Sequence, residues 1–320
     1  MHKAIVVPEA GGPEILRYED VDLPDPGPRQ VLVKVAAAGV NFIDTYKRSG
    51  VYPMSYPFIP GSEAAGTVVA AGLESGFREG DRVATAEGGG TYAAYTLMDA
   101  DVALPVPAGV TDETAAALMM QGMTAHYLCN STFPVREGQT ALVHAGAGGV
   151  GLLLIQLLKS KGATVITTVS TEEKEALARE AGADHVLRYD GFTGQVRALT
   201  GGTGVDVVFD GVGAATFDGS LASLRTRGML VLFGGASGQV PPFDIQRLNS
   251  SGSLFLTRPT LAHYLLTPEE RQWRARELFD AVLAGTLDVR IGQTYPLAEA
   301  SRAQADLEGR RTTGKVLLIP

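Results

Sequence analysis

Hydrophobic positions in the first hundred residues fall in short runs, at 3–7, 31–36, 67–71 and 92–97. Clusters of turn formers stand between them: Gly11-Gly12-Pro13, Pro24-Asp25-Pro26-Gly27-Pro28 and Gly80-Asp81. Short β-prone runs punctuated in this way predict a small barrel or partly closed sheet, with the proline-rich segment as a rigid connection inside it. The pattern changes near residue 111, where Thr111 followed by Asp112 and Glu113 reads as a helix N-cap with acids in the first turn. From Thr140 strands and helices alternate. A strand at 141–144 leads to a helix at 149–161 and a strand at 164–169, followed by a helix that opens on Ser170-Thr171-Glu172-Glu173, read as a capping box, and closes at Gly182. Buried strands follow at 186–187, 205–209 and 229–233. Near-continuous apolar runs alternating with helices predict a parallel sheet covered on both faces. Towards the C-terminus, Thr267-Pro268-Glu269-Glu270 combines an N-cap, a proline at the first helical position and a capping glutamate, and Gly285 ends that helix. A strand at 288–291, a helix at 298–307 and a strand at 315–319 complete a tail able to rejoin the N-terminal sheet. The expected fold class is α/β: a doubly wound parallel domain over 122–261, and a β-rich, partly barrel-like domain formed by 1–121 and 262–320.

Composition narrows the partners. Of 320 residues, 45% are hydrophobic and 19% charged, which fits a packed globular chain and excludes general disorder. Lysine and arginine total 27 against 35 aspartates and glutamates, a net charge of −8. That balance argues against a nucleic-acid or anionic-membrane partner, both of which call for basic surface. The single cysteine, Cys129, excludes an intramolecular disulfide and a cysteine-rich metal cluster, and reads as a small core residue on a helix. No apolar window is long enough to span a bilayer, and the opening Met1-His2-Lys3 reads as a first strand rather than a signal peptide; the cytoplasm is the expected location. His2, His126, His144, His185 and His263 show no ligand spacing, so no metal is expected.

The strongest local signal is His144-Ala145-Gly146-Ala147-Gly148-Gly149-Val150-Gly151, a Gly-x-Gly-x-x-Gly between a strand and an apolar helix. This is the context of a dinucleotide site: Gly146 for a tight turn, Gly148 for close approach of backbone to pyrophosphate, Gly151 for helix–strand packing. The free N–H groups of the helix N-terminus favour phosphate. An NAD site carries an acid roughly 20 residues further on, for the ribose 2′-hydroxyl. The second strand here ends Thr167-Thr168-Val169-Ser170-Thr171, with no acid. Ser170 and Lys174, with Arg188 and Tyr189 on the next strand, instead suit a 2′-phosphate, so NADPH is the expected cofactor. The apolar run 253–257 after the fifth parallel strand predicts a sheet edge that needs covering, and hence a homodimer.

Several stretches carry a resemblance that runs nearly end to end: Gly39-Val40-Asn41-Phe42-Ile43-Asp44-Thr45-Tyr46, Arg48-Ser49-Gly50, Tyr52-Pro53, Pro60-Gly61-Ser62-Glu63-Ala64-Ala65-Gly66, Gly80-Asp81-Arg82-Val83, the 144–151 turn, Phe233-Gly234, Leu256-Thr257-Arg258-Pro259 and the 314–320 terminus. The chain resembles the medium-chain dehydrogenase/reductase superfamily and, within it, the zinc-independent NADPH:quinone oxidoreductases of the zeta-crystallin type. The resemblance implies a GroES-like catalytic domain beside a Rossmann domain, a small quinone as acceptor, and a dimer. It implies cofactor contacts at Asn41, Phe42, Tyr46, Thr124 and Tyr127 towards the nicotinamide. Gly146, Gly148, Gly149, Val150 and Gly151 would face the pyrophosphate, Ser170, Lys174 and Tyr189 the 2′-phosphate, and Phe233, Gly234 and Arg310 would complete the wall. Asn41, Asp44, Tyr46 and Tyr52 would border the acceptor. Zinc alcohol dehydrogenases carry a cysteine where this chain has Asn41 and a histidine where it has Ser62. Gln121 stands where bacterial relatives often have lysine, which puts a preference for anionic acceptors in question. Two other readings stay open: an enone, alkenal or 2-enoyl reductase of the same fold, and an NADPH-binding crystallin-like structural or RNA-binding protein.

Overall fold

The first strand, β1 (His2–Val6), pairs antiparallel with β2 (Arg17–Val21). The long β3 (Gln30–Val40) follows, then a short helix α1 (Phe42–Arg48), strands β4 (Ala64–Ala71), β5 (Arg82–Thr85), β6 (Tyr95–Asp99) and β7 (Leu104–Pro105), and helix α2 (Asp112–Tyr127). Next come β8 (Thr140–Val143), α3 (Gly149–Ser160), β9 (Thr164–Val169), α4 (Glu172–Glu180), β10 (His185–Arg188) and α5 (Phe192–Leu199). They are followed by β11 (Val205–Asp210), α6 (Phe217–Ser223), β12 (Leu224–Leu232), α7 (Gln246–Ser250) and β13 (Phe255–Thr257). The chain ends with α8 (Pro268–Leu283), β14 (Ile291–Pro296), α9 (Ala300–Glu308) and β15 (Lys315–Ile319). This computed structural model describes all 320 residues and divides into two units, Met1–Met123 with Leu265–Pro320, and Thr124–Tyr264.

In the first unit β3 is the hub. Its residues pair antiparallel with β4, with β6 and, at 38–40, with the C-terminal β15, giving a sheet path β14-β15-β3-β4-β5-β7 with β6 off the path. One strand with three partners curls the sheet into the partly closed form expected from short strands. Val31, Val33, Val35, Val68, Val83, Met98, Val316 and Leu318 fill its interior. Strand β14 begins at Ile291, not at 288. It pairs parallel with β15 from Lys315 onward, and ahead of that ladder Arg290 makes a single backbone contact, accepting the Lys315 N–H at 2.8 Å.

The second unit is a six-stranded parallel sheet in the order β10-β9-β8-β11-β12-β13. This is the doubly wound order, whose strand sequence reverses between β8 and β11, so ligand groups belong at the carboxyl ends of those two strands. The cap of α4 differs from the sequence reading. Thr171, not Ser170, is the N-cap, and its Oγ1 accepts the Lys174 N–H at 3.2 Å, which keeps the Ser170 hydroxyl out of the cap. After α2 the chain widens to a π-helical turn over Leu128–Thr132, and Cys129 is buried within it.

Candidate active site

The turn after β8 is made of backbone. Ala145 takes a left-handed conformation (φ 57°), whereas Gly146, Gly148 and Gly151 do not. The glycines are needed for room. A Cβ on Gly146 would collide with the Thr167 side chain on β9, and one on Gly151 would lie 2.9 Å from Gly146 Cα and closer still to the Ala145 carbonyl. The tight bend expected of Gly146 is therefore carried by Ala145. At Gly148 a Cβ would meet only the Ala145 carbonyl, at 3.2 Å. Gly148 is the N-cap of the twelve-residue α3 and offers no side-chain cap, so the first-turn N–H groups, from Gly149, Val150 and Gly151, are left for a ligand. An open cradle ending in uncapped N–H groups fits a dinucleotide pyrophosphate.

Beside this turn lies a buried network that sequence reading missed. The Asp210 carboxylate accepts the N–H groups of Val212 and Gly213, the Thr216 hydroxyl, and the Ser220 hydroxyl at 2.7 Å. Ser220 Oγ thus spends its proton on Asp210 and accepts from His144 Nε2 at 3.0 Å, leaving His144 Nδ1 to accept the Thr168 hydroxyl at 2.8 Å. Burial lowers the His144 pKa against the pull of Asp210, which keeps the ring neutral, as this donor order requires. The His144 ring lies parallel to Tyr189, centroids 6.2 Å apart, and edge-on to Phe192. Ser170, Lys174 and Tyr189 follow β9 and β10, whose ends run side by side. Arg188 differs from the expectation of a free cation: it pairs with Glu175 at 3.0 Å and donates to the Thr171 carbonyl. Phe233 covers Gly211, and Gly234 packs on the Gly211 backbone too closely for any side chain. Tyr127 is buried and stacks on Tyr264, centroids 4.3 Å apart; Thr124 lies one turn before it on α2.

In the first unit the candidate groups are side chains gathered on α1. The Asp44 carboxylate accepts the Asn41 N–H at 2.9 Å and the Tyr92 hydroxyl at 3.0 Å. Burial lifts its pKa to about 6, opposed by the Asn41 N–H and the Lys47 charge. Desolvation and the Asp44 charge push the Tyr92 phenol well above its ordinary value. Asn41 Oδ1 accepts from Lys315 at 2.8 Å and, at 3.4 Å, from Gln121, while Asn41 Nδ2 donates to Glu63 at 2.8 Å. Lys315 and Glu63 form a fully buried ion pair, and Glu63 also accepts the Met120 N–H at 2.6 Å. Arg48 ties the far end of α1 to Gly11, to Gln304 at 2.5 Å and to Glu308 at 2.7 Å. Phe42 and Tyr46 form an aromatic row on α1, and Tyr52 meets Tyr46 edge-on at 5.7 Å, with 37% of its surface exposed. Arg310 follows α9 in a left-handed conformation. The Asn41 amide, on a residue expected to border the acceptor, is largely engaged by Lys315, Gln121 and Glu63.

Residues 27–108 match the alcohol dehydrogenase GroES-like domain and 149–278 the zinc-binding dehydrogenase family. Zinc does not fit these residues. Asn41 and Ser62 each accept a hydrogen bond from an ammonium, that of Lys315 and that of Lys47, and no three of the chain's His, Cys, Asp and Glu converge on a common point. The chain is 45% identical to a quinone oxidoreductase of Pseudomonas aeruginosa and 41% identical to a 2-haloacrylate reductase of a Burkholderia species, covering 100% of this chain in both cases and 100% and 99% of the relatives. A mycobacterial protein solved in complex with NADPH superposes with a TM-score of 0.98 at 53% identity, each chain covering 100% of the other. With full-length likeness of this order, the chain belongs to the quinone oxidoreductases of the medium-chain dehydrogenase/reductase superfamily.

Proposed function

We propose that the protein is an NADPH-dependent quinone oxidoreductase that works without a metal. The carrying observation is the uncapped, glycine-built start of α3 beside a β9 end that offers hydroxyls and Lys174 but no acid. NADPH, when bound, supplies the hydride. The chain's residues bind and orient. The first-turn N–H groups of α3 take the pyrophosphate, Ser170, Lys174 and Tyr189 the 2′-phosphate, and Thr124, Tyr127, Phe233, Gly234 and Arg310 are further cofactor contacts. Phe42, Tyr46 and Tyr52 offer a planar acceptor apolar faces, and a tyrosine hydroxyl donates to the oxygen on which charge develops. Asn41 and Asp44 hold α1 in place beneath that row. The test is steady-state oxidation of NADPH and NADH with 1,4-benzoquinone, an enone and a 2-haloacrylate. Turnover with NADPH and the quinone, at least tenfold above NADH, is the expected result. Reduction of the alkenes with no quinone turnover would transfer the assignment to the same-fold alkene reductases.

We also propose a homodimer. Strand β13 ends the parallel sheet with Phe255 56% exposed, an edge that a second copy's β13 would cover. A monomer by light scattering at micromolar concentration would refute it. No helix of the chain is long and apolar enough to cross a membrane. A single free cysteine and a reduced cofactor suit the cytoplasm.

A further inference from the structure

The carboxylates of Glu63, Glu87 and Asp44 are already answered, except at one oxygen of Asp44. Glu63 is neutralised by Lys315 and also takes the Met120 and Asn41 N–H groups, and Glu87 pairs with Arg271. Asp44 is satisfied at Oδ2 by Asn41 and Tyr92, while its Oδ1 is buried without a partner, as is Gln121 Oε1. Lys47 stands apart from this balance. It sits on α1 between the aromatic Tyr46 and the clamp Arg48, is half-buried, and its ammonium donates to the Ser62 hydroxyl at 2.9 Å, not to a carboxylate. Ser62 is itself buried, which fixes the ammonium in one place rather than leaving it to sweep through solvent. Its nearest acid in sequence, Asp44, feels its charge without forming an ion pair with it. An ammonium held partly out of water, with the Ser62 hydroxyl as its side-chain partner and N–H bonds left over, attracts an anion more strongly than a solvated surface lysine does.

We propose that Lys47, seated on Ser62, is the anion-recognising group of the acceptor site, so that acceptors carrying a carboxylate or sulfonate beside the electrophilic ring are preferred to their neutral counterparts. The inference rests on reading the α1 segment as the acceptor site. It supplies the cation that Gln121 does not: the ammonium enters from α1, and the buried amide of Gln121 serves Asn41 instead.

The test compares 1,2-naphthoquinone-4-sulfonate with 1,2-naphthoquinone as acceptors at saturating NADPH, in the intact protein and in Lys47→Gln, Lys47→Arg and Tyr46→Ala. In Lys47→Gln the ratio of kcat/KM for the sulfonated over the neutral quinone falls about tenfold, chiefly through KM, the lower end for a charge-assisted bond at a partly exposed group. Lys47→Arg retains most of the ratio, and added salt erodes it in the intact protein but not in Lys47→Gln. A ratio unchanged in Lys47→Gln overturns the proposal. If Tyr46→Ala lowers turnover while that ratio stays fixed, only the role of Lys47 falls. If Tyr46→Ala and Lys47→Gln both leave the two acceptors untouched, the α1 segment is not the acceptor site and both readings fall together.

Discussion

In the second unit the proposed ligand groups are main-chain N–H groups at the start of α3, left without a side-chain cap at Gly148, where Gly146 and Gly151 let strand and helix close up. In the first unit they are side chains on α1, held by a buried ion pair and a chain of amide and carboxyl contacts. A backbone site is specified by what is missing from a few adjacent residues and costs little to keep ordered. A side-chain site carries desolvated charge, and its geometry survives only while every partner is present. The same fold thus holds one robust site and one that is sensitive to single deletions and to pH.

The largest expected effect comes from removing half of the buried pair. Lys315→Met leaves Glu63 charged and Asn41 Oδ1 short of a donor, and should cost about 3–5 kcal/mol in urea unfolding. The double change Lys315→Met with Glu63→Gln should recover much of it. A single-variant loss below ~1 kcal/mol would mean that the pair is not a keystone and that the contrast between the two units is overstated.

Next is pH. Asp44, with a folded pKa of about 6 against an ordinary 3.8, binds a proton more tightly in the folded state. Stability should therefore fall as pH rises through that window, by about 3 kcal/mol in all. His144, whose pKa burial lowers, contributes a slope of opposite sign. The difference between the intact protein and Asp44→Asn isolates the carboxyl: the variant should lose the downward slope between pH 4 and 6. Parallel pH profiles would remove Asp44 from the account.

The backbone site separates room for packing from room for ligand. Gly151→Ala forces a Cβ onto main-chain atoms and should cost about 1–3 kcal/mol of stability. Gly148→Ala meets one carbonyl at 3.2 Å, so stability should move by less than ~1 kcal/mol while NADPH affinity drops. Equal thermal shifts for the two would show that Gly148 has no ligand-facing role. The smallest effect on stability belongs to the surface charge: Lys174→Ala should weaken NADPH about tenfold and leave NADH nearly unchanged, by fluorescence titration. Equal losses for both nucleotides would take the 2′-phosphate away from this lysine.

The alternation of apolar runs and helices from 140 to 233, the glycine spacing at 146–151 and the missing acid after β9 were all readable from adjacent residues, because each is a local matter of periodicity or steric room. So was the aromatic content of α1, although its short helical form was not, since Asn41 and Asp44 satisfy its start by contacts that composition does not announce. What only the tertiary structure decided is pairing at a distance. Lys315 finds Glu63 across 252 positions, Arg48 finds Gln304 across 256, and His144 meets Ser220 across 76. Nothing in the neighbouring residues marks these as partners, because a buried charge or imidazole is chosen by whichever group the folded chain brings within hydrogen-bond reach once water has been excluded. The same exclusion left Lys47 with a hydroxyl in place of a carboxylate, a distinction of a few ångströms that no linear pattern records.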